Sequence, residues 1–577
     1  MKTKITLLLL LVSAILFAQS NEDKFNWAFN TGGGSNFVQR IKYNSQGDLI
    51  VLGGFYDKGK FGTTALGAVN NTFLATQYIG KRTPSGVMSV LHSRSKVAGG
   101  IGFVYDDFDI DGNDNIYLAG IKRDAFSAPL DFGNGVTISG EGYIIVKFNS
   151  NGVAQWVKMI DFGNTSNLNL FKSQAIQVLP TGDIMFACQS NSGTKPFRIS
   201  KYNTSGTELW HKDHTFSSNA TLAVESSKQN CNFDNVGNSY FFISIFNSAS
   251  LVVDGVDTIT IPSPSNISSF VLNFDSAGDK KQYFGLNGDF DDVAVDKTSG
   301  NVFFKALTQV STNGSPFNTL PLSFGSYFGI VLLDNQNNYL KASTFDVLST
   351  NPLTSSKSQG LLPISSETFI FAAKLSNNNP ATYIAGTQSY LQNSNSRVFC
   401  IESDTNLNPK NFVTAPSIIN NPNSGDLYPK LALNNGKVAI AGNWNRTDNL
   451  TISINGTVLT ACEQNPEYVT GYPAYAVAGM VDVFVAEYDR PDYVLSNQNF
   501  SQNQNFSIYP NPSNGTFNLK IDDEMLGSKA TIYSLLGQNR TSFEVTNNVV
   551  NQNLASGIYV LEIEKNGQKL TQKLIIK

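Results

Sequence analysis

The stretch Asp114–Gly120, DNIYLAG, is a polar turn running into a short apolar strand that ends in small residues. Related stretches recur along the chain: GDLIVLGG at Asp48, GDIMFAC at Asp183, GNSYFFI at Asn238, GNVFFKA at Asn301, ETFIFAA at Thr368 and GKVAIAG at Lys437. With Asn115 as the second anchor, successive spacings are 67, 68, 55, 63, 67 and 69 residues. One such heptapeptide is a weak signal. Seven at a near-constant period mark a repeat architecture.

A second element follows each anchor. Its fullest forms are YIIVKFNSNGVAQW from Tyr143 and FRISKYNTSGTELW from Phe197, each a strand, a tight Asn/Gly turn and a return strand carrying Trp156 or Trp210. An apolar stretch such as VYDDFDI precedes each anchor, so one unit supplies about four short strands. A four-stranded sheet cannot bury both faces alone, and radial stacking lets each face cover its neighbour. The expected fold is all-β: a seven-bladed β-propeller over residues 19–495. Unit seven ends at VFVAEYDR with no Trp-bearing strand, whereas KFNWAFNTGGG near the start carries Trp27 in the matching context. That N-terminal segment is expected to supply the outer strand of blade seven, pairing antiparallel with Val483 to Tyr488.

These units resemble the bacterial SBBP β-propeller family, whose repeats read roughly D-x-x-G-N-x-Y-x-x-G and then F-V-x-K-Y-x-x-x-G-x-x-x-W. DGNDNIYLAG with YIIVKFNSNGVAQW is the best match, and the fifth and sixth copies are degenerate.

After VFVAEYDRPDY the chain becomes VLSNQNFSQNQN, polar and Asn/Gln-rich, which is linker composition, and residues 496–505 are read as a linker. Beyond it, YPNPSNG, the alternating TFNLKI and the hairpin GIYVLEIEKNGQKLTQKLIIK predict a small Ig-like β-sandwich of about seven strands over residues 506–577. These residues closely resemble the type A C-terminal sorting domain of the type IX secretion system. Tyr509, Pro510, Asn511, Pro512, Gly515, Gly537, Gly557, Tyr559 and Lys573 fall on its signature. The resemblance implies recognition by the outer-membrane secretion and sorting machinery, delivery to the cell surface or medium, and removal of the domain on arrival.

The N-terminus fits that route. Lys2 and Lys4 precede an apolar run from Ile5 to Phe17, and Ala18 offers a small residue, so residues 1–18 read as a secretory signal peptide. No later stretch has the roughly 18 apolar residues of a membrane span. A net charge of −4 and 15% charged residues give no basic field for nucleic acid.

Chemistry is sparse. The four cysteines, Cys188, Cys231, Cys400 and Cys462, include no CxxC pair. Cys188 ends the second strand of unit three and Cys231 precedes the first strand of unit four, which suggests a disulfide between them. His211 and His214 stand as H-x-x-H without a third ligand, and read as polar residues of a blade edge. Asp107, Asp109, Asp111 and Asp114 offer oxygens that calcium accepts, but Gly112 falls too early for an EF-hand and position 120 is Gly where that loop needs Glu. An Asx turn is the competing reading. Trp156 and Trp210 recur at equivalent positions and read as packing. Trp444 has no counterpart, falls in an expected loop, and is the candidate ligand contact.

Two functions remain open at this stage. One is a secreted or surface binding protein for glycan or protein, with no cofactor beyond the calcium just weighed. The other is a secreted hydrolase or lyase acting on polysaccharide or peptide in the propeller channel. Propellers host both.

Overall fold

In a computed structural model, the described residues begin at Phe25. They exclude residues 491–506 and a set of connections, the longer ones being 67–74, 163–174, 223–230, 308–327, 349–359, 420–428 and 461–480. The expected signal peptide, the expected linker, Cys462 and Gly537 lie outside them. Every described element is a strand or turn, and no helix among them is long and apolar enough to cross a membrane. The chain divides into two units, residues 1–491 and 492–577.

In the first unit, four antiparallel strands recur seven times, here a to d from the axis outward. Blade one is Asn36–Tyr43, Leu49–Tyr56, Ala75–Arg82 and Met88–Ser95. Blade two is Phe103–Ile110, Ile116–Lys122, Gly142–Phe148 and Ala154–Ile160. Blade three is Ala175–Val178, Ile184–Gln189, Phe197–Tyr202 and Glu208–His214. Blade four is Cys231–Phe233, Ser239–Phe246, Ile267–Phe274 and Lys280–Asn287. Blades five and six begin at Phe290–Val295 and Leu361–Pro363 and end at Tyr339–Leu348 and Pro409–Ile419. Blade seven is Lys430–Asn434, Lys437–Asn445, Val481–Asp489 and, as its d strand, Phe25–Gly33. Each a strand contacts the a strand of the next blade, and that of blade seven returns to blade one. This ring of seven inner strands is a β-propeller.

The Asn/Asp/Gly turns of the sequence build the a–b and c–d corners. Asp111 shows the pattern: its Oδ1 accepts the N–H of Asn113 and of Asn115, each at 2.9 Å. Asn149, Asn203, Asp234, Asp275, Asp334 and Asp404 do the same for residues two and four ahead. These are Asx turns, in which a side-chain oxygen replaces a backbone carbonyl. The b strands are largely apolar on both faces because both sheet faces are covered. Ile116 and Leu118 join a core shared with blade one, whereas Tyr117, Ala119 and Ile121 join one shared with blade three.

The recurrent tryptophans seal the rim. Trp156, on strand d of blade two, lies over Gly206 in the c–d turn of blade three, and its Nε1 donates to Thr204 O at 3.2 Å. Trp210 lies in the same way over Gly278 of blade four. Both glycines have φ of +79°, and a Cβ on either would stand 3.0–3.1 Å from the indole. Position and conformation therefore both demand glycine. Trp27 occupies this role on blade seven, with the Arg82 guanidinium of blade one 3.6 Å from its ring centroid.

Five short hairpins, not among the expected strands, are inserted between strands b and c of their blades. They are Gly59–Phe61 with Thr64–Leu66, Leu130–Asp131 with Thr137–Ile138, Ser250–Val253 with Asp257–Thr260, Ala381–Ala385 with Gln388–Gln392, and Thr451–Ile454 with Thr457–Thr460. Each reaches the outer strand of the preceding blade. Lys60 pairs with Gly32 of blade seven, and Ala385 pairs with Phe345 of blade five. Val253 bridges to Phe216 just beyond blade three, Arg94 of blade one donates to Asp131 O, and Thr451–Ile454 contacts the outer strand of blade six. Each hairpin is thus a clasp across one seam.

The second unit is a sandwich of seven strands, three in one sheet and four in the other. Phe517, Leu519, Ile532, Leu561, Ile563 and Leu574 meet in its core. Asn511 ties the YPNP segment to the C-terminal strand: its Oδ1 accepts the Ile575 N–H at 2.8 Å and its Nδ2 donates to Lys573 O at 2.5 Å. Gly515, at φ +99°, leaves no room for a Cβ, which would stand 2.6 Å from Gln552 O.

Candidate functional site

Strand alternation sorts the connections between the two ends of the propeller. The tight a–b and c–d turns gather at one end. The b–c connections, with their hairpins, and the blade-to-blade connections gather at the other. The inner strands line the channel between.

At the turn end the channel carries a charged cluster. Arg40 Nε lies 3.2 Å from Asp107 Oδ1, and Lys42 Nζ 2.5 Å from Asp109 Oδ1, both pairs linking blades one and two. The other oxygens reach the exposed edge of blade three, where Ile176 N–H donates to Asp107 at 3.2 Å and Val178 N–H to Asp109 at 2.9 Å. Inner strands present unpaired N–H groups, and these two carboxylates satisfy a pair of them. Burial opposes charge on Asp109, but Lys42, Lys297 and the Val178 N–H together hold its pKa down to about 2.

The calcium reading of this segment is therefore corrected. Asp107 and Asp109 serve blades one and three, Asp111 closes its own turn, and Asp114 accepts from Ser45 N and Oγ at 2.8 and 2.9 Å. Asp107 and Asp109 share one face of the strand, where blades one and three take their oxygens, whereas Asp111 and Asp114 belong to the turn beyond it, so the four carboxylates do not converge. No metal-competent group of His, Cys, Asp or Glu occurs among the described residues.

The Cys188–Cys231 bridge is corrected too. Both thiols are free and buried. Cys188 points with Ile184 and Phe186 into the core shared by blades two and three, and Cys231 into the core shared by blades three and four. The sheet of blade three separates them. Burial raises both thiols, and raises Cys400 to about 12, so none is a poised nucleophile.

The histidines part company as alternation requires. His211 Nδ1 lies 2.6 Å from Glu208 on the rim. His214 is 6% exposed, with Nδ1 2.8 Å from Asp254 Oδ2 and Nε2 3.0 Å from Gly278 O, between the rings of Phe197 and Phe274. Trp444 is not in a loop. It sits near the end of strand b of blade seven, opposite Asp482, where the b–c connection leaves at the loop end.

These features define a ring-closed propeller joined to a β-sandwich. Residues 507–577 match the family described as Secretion system C-terminal sorting domain. A sorting domain of the type IX system marks the chain as secreted or displayed at the cell surface, and as a client of the secretion machinery. No curated protein matches. Similar solved structures include a protein of unknown function from Dyadobacter fermentans, at 10% identity and TM-score 0.33, covering 81% of this chain and 99% of that one. PorZ of Porphyromonas gingivalis, titled an essential bacterial surface component of the type-IX secretion system, is similar at 9% identity and TM-score 0.23, covering 94% and 81%. The β-propeller domain of the Trilobed protease from Pyrococcus furiosus is similar at 5% identity and TM-score 0.35, covering 75% and 99%. With TM-scores below 0.5, the fold rests on the strand order and the ring of inner strands.

Proposed function

We propose that the propeller is a binding module for an extracellular glycan or protein, exported through the periplasm and recognised at the outer membrane through its C-terminal sandwich. The observation carrying this reading is the division of labour between the two ends. At the turn end and rim, Asp107 and Asp109 are spent on ion pairs and backbone N–H groups, and His211 and His214 on hydrogen bonds within the fold. The loop end bears five clasped hairpins on a rigid ring, the arrangement of a scaffold that presents contact loops. Trp444, at the edge of that end, is the proposed contact. A glycan array and a pull-down from extracellular material, both with the mature propeller, test the reading. Retention of one ligand class, weakened at least tenfold by Trp444→Ala, is the expected result. Turnover of a polysaccharide or peptide without stable retention overturns it in favour of hydrolysis.

A further inference from the structure

Neither the ring nor the proposed loop-end binding uses Lys297. It follows the inner strand of blade five at the turn end, and its Nζ lies 3.8 Å from Asp109 Oδ2 of blade two. That is an ion pair but too long for a hydrogen bond. Asp109 is already committed, its Oδ1 to Lys42 and its Oδ2 to the Val178 N–H. Among the described residues the Lys297 ammonium has no hydrogen-bond acceptor, and its side chain is 45% exposed.

The charges that act most strongly on it are Lys42, Asp109, Arg40 and Asp107. With Lys297 itself these five groups are three cations and two carboxylates, one positive charge in surplus among them. Next to blade five, the inner strand of blade four carries Asn232, whose buried Nδ2 has no hydrogen-bond partner among the described residues. A surplus cation with unused donors beside a strand with an unspent amide is the composition of an anion site.

We propose that the turn end of the channel binds an oxyanion, the carboxylate or sulfate of a small ligand, with Lys297 as its cationic anchor. The anion supplies the acceptor that Asp109 does not and cancels the surplus charge. Arg40 and Lys42 stay paired with their aspartates and act through their field. Burial and then the neighbouring Lys42 lower the Lys297 ammonium to about 8, against the pull of Asp109. Because the side chain is partly exposed, channel water screens this effect, and its direction is what matters: a bound anion reverses it.

The site does not depend on what the loop end binds, and its test uses the mature full chain with acetate and sulfate as probes. An amine-acylating reagent is applied at pH 8, and the modification of each lysine is read by mass spectrometry. Lys297 is expected to react faster than the exposed Lys158, and to be protected at least fivefold by one of the probes relative to chloride at equal ionic strength. Protection by sulfate alone assigns sulfate-bearing ligands, and protection by acetate assigns carboxylates. Equal protection by chloride, or none, overturns the proposal. As a second readout, the protecting anion should raise the unfolding temperature of the native chain but not of folded Lys297→Met. An equal rise in both overturns it as well.

Discussion

The indole Nε1 of Trp27 donates to Oε1 of Glu487 at 3.1 Å, joining residues 460 positions apart. Glu487 is 5% exposed and also accepts from Tyr43 Oη at 2.5 Å and from Lys437 Nζ at 3.0 Å. One carboxylate thus gathers the first strand of the chain, the inner strand of blade one and strand b of blade seven. Opening the ring must break this group together with the ladder that pairs Phe25 to Thr31 with Tyr488 to Val483.

Trp27→Ala should therefore destabilise the propeller by ~2–4 kcal/mol, the lower part of the large-to-small range because the indole is only partly buried. Urea unfolding of the mature propeller measures it. A loss below ~0.5 kcal/mol, the size of an ordinary surface substitution, would mean that the closing strand is dispensable.

The clasp of blade four offers a local test. Asp254 accepts from the Thr215 N–H at 2.8 Å and faces His214 at 2.8 Å. Asp254→Ala removes both bonds and should cost ~2–3 kcal/mol, as expected for hydrogen bonds to a charged group. Hydrogen exchange should accelerate over Ser250–Thr260 while strands b and c of blade four stay protected. Uniform acceleration through the blade would show that the hairpin is part of the blade's own core.

What was legible in the sequence follows from period and turn chemistry. Asp111 and its counterparts announce themselves because an Asx turn needs that residue type at that place, and the strands behind them are apolar on both faces. Parity across a sheet is less visible. The pairing of Cys188 with Cys231 counted strand ends without asking which face each side chain takes. The aspartates from Asp107 to Asp114 looked convergent because the sequence hides where the strand gives way to the turn and hides the partners that arrive from blades one and three. The five hairpins went unread because strands of two to five residues show no periodicity. Their signals were the DG of Asp254-Gly255 and the NG of Asn134-Gly135. Trp444 was placed in a loop because strand b of blade seven runs past the small residues that end the others.

A pH response follows from His92. Burial, and then the charge of Arg94, lowers its pKa to about 4, with Phe148 4.7 Å away between ring centroids. The folded state holds it neutral, whereas an unfolded chain binds the proton at about 6.5. Between those values the unfolded state carries more protons, so stability rises with pH. His92 contributes fully above about 6.5, and its contribution falls as the pH drops through about 4. The loss is on the order of 3 kcal/mol before discounting the partial exposure of the ring. His92→Phe should flatten this part of the stability profile from pH 7 to 4, and an unchanged slope would assign the acid sensitivity to other groups.

The sorting domain makes the last prediction. Its core is built from its own strands alone, with Ile508, Phe517, Leu561 and Leu574 packing together, and the propeller closes its ring before Pro491. Deleting residues 506–577 should leave the urea midpoint of the propeller within error of the full chain, while the protein fails to reach the cell surface or medium. Asn511→Ala separates fold from address more finely. It removes the two bonds that hold the YPNP segment on the C-terminal strand, to Lys573 O and from the Ile575 N–H, at a cost of ~1–2 kcal/mol to the sandwich. Fractionation should then show reduced surface delivery with an intact propeller. Normal delivery of Asn511→Ala would mean that the secretion machinery does not read this segment in its docked form, and normal delivery of the deletion would mean that the sandwich is not the address.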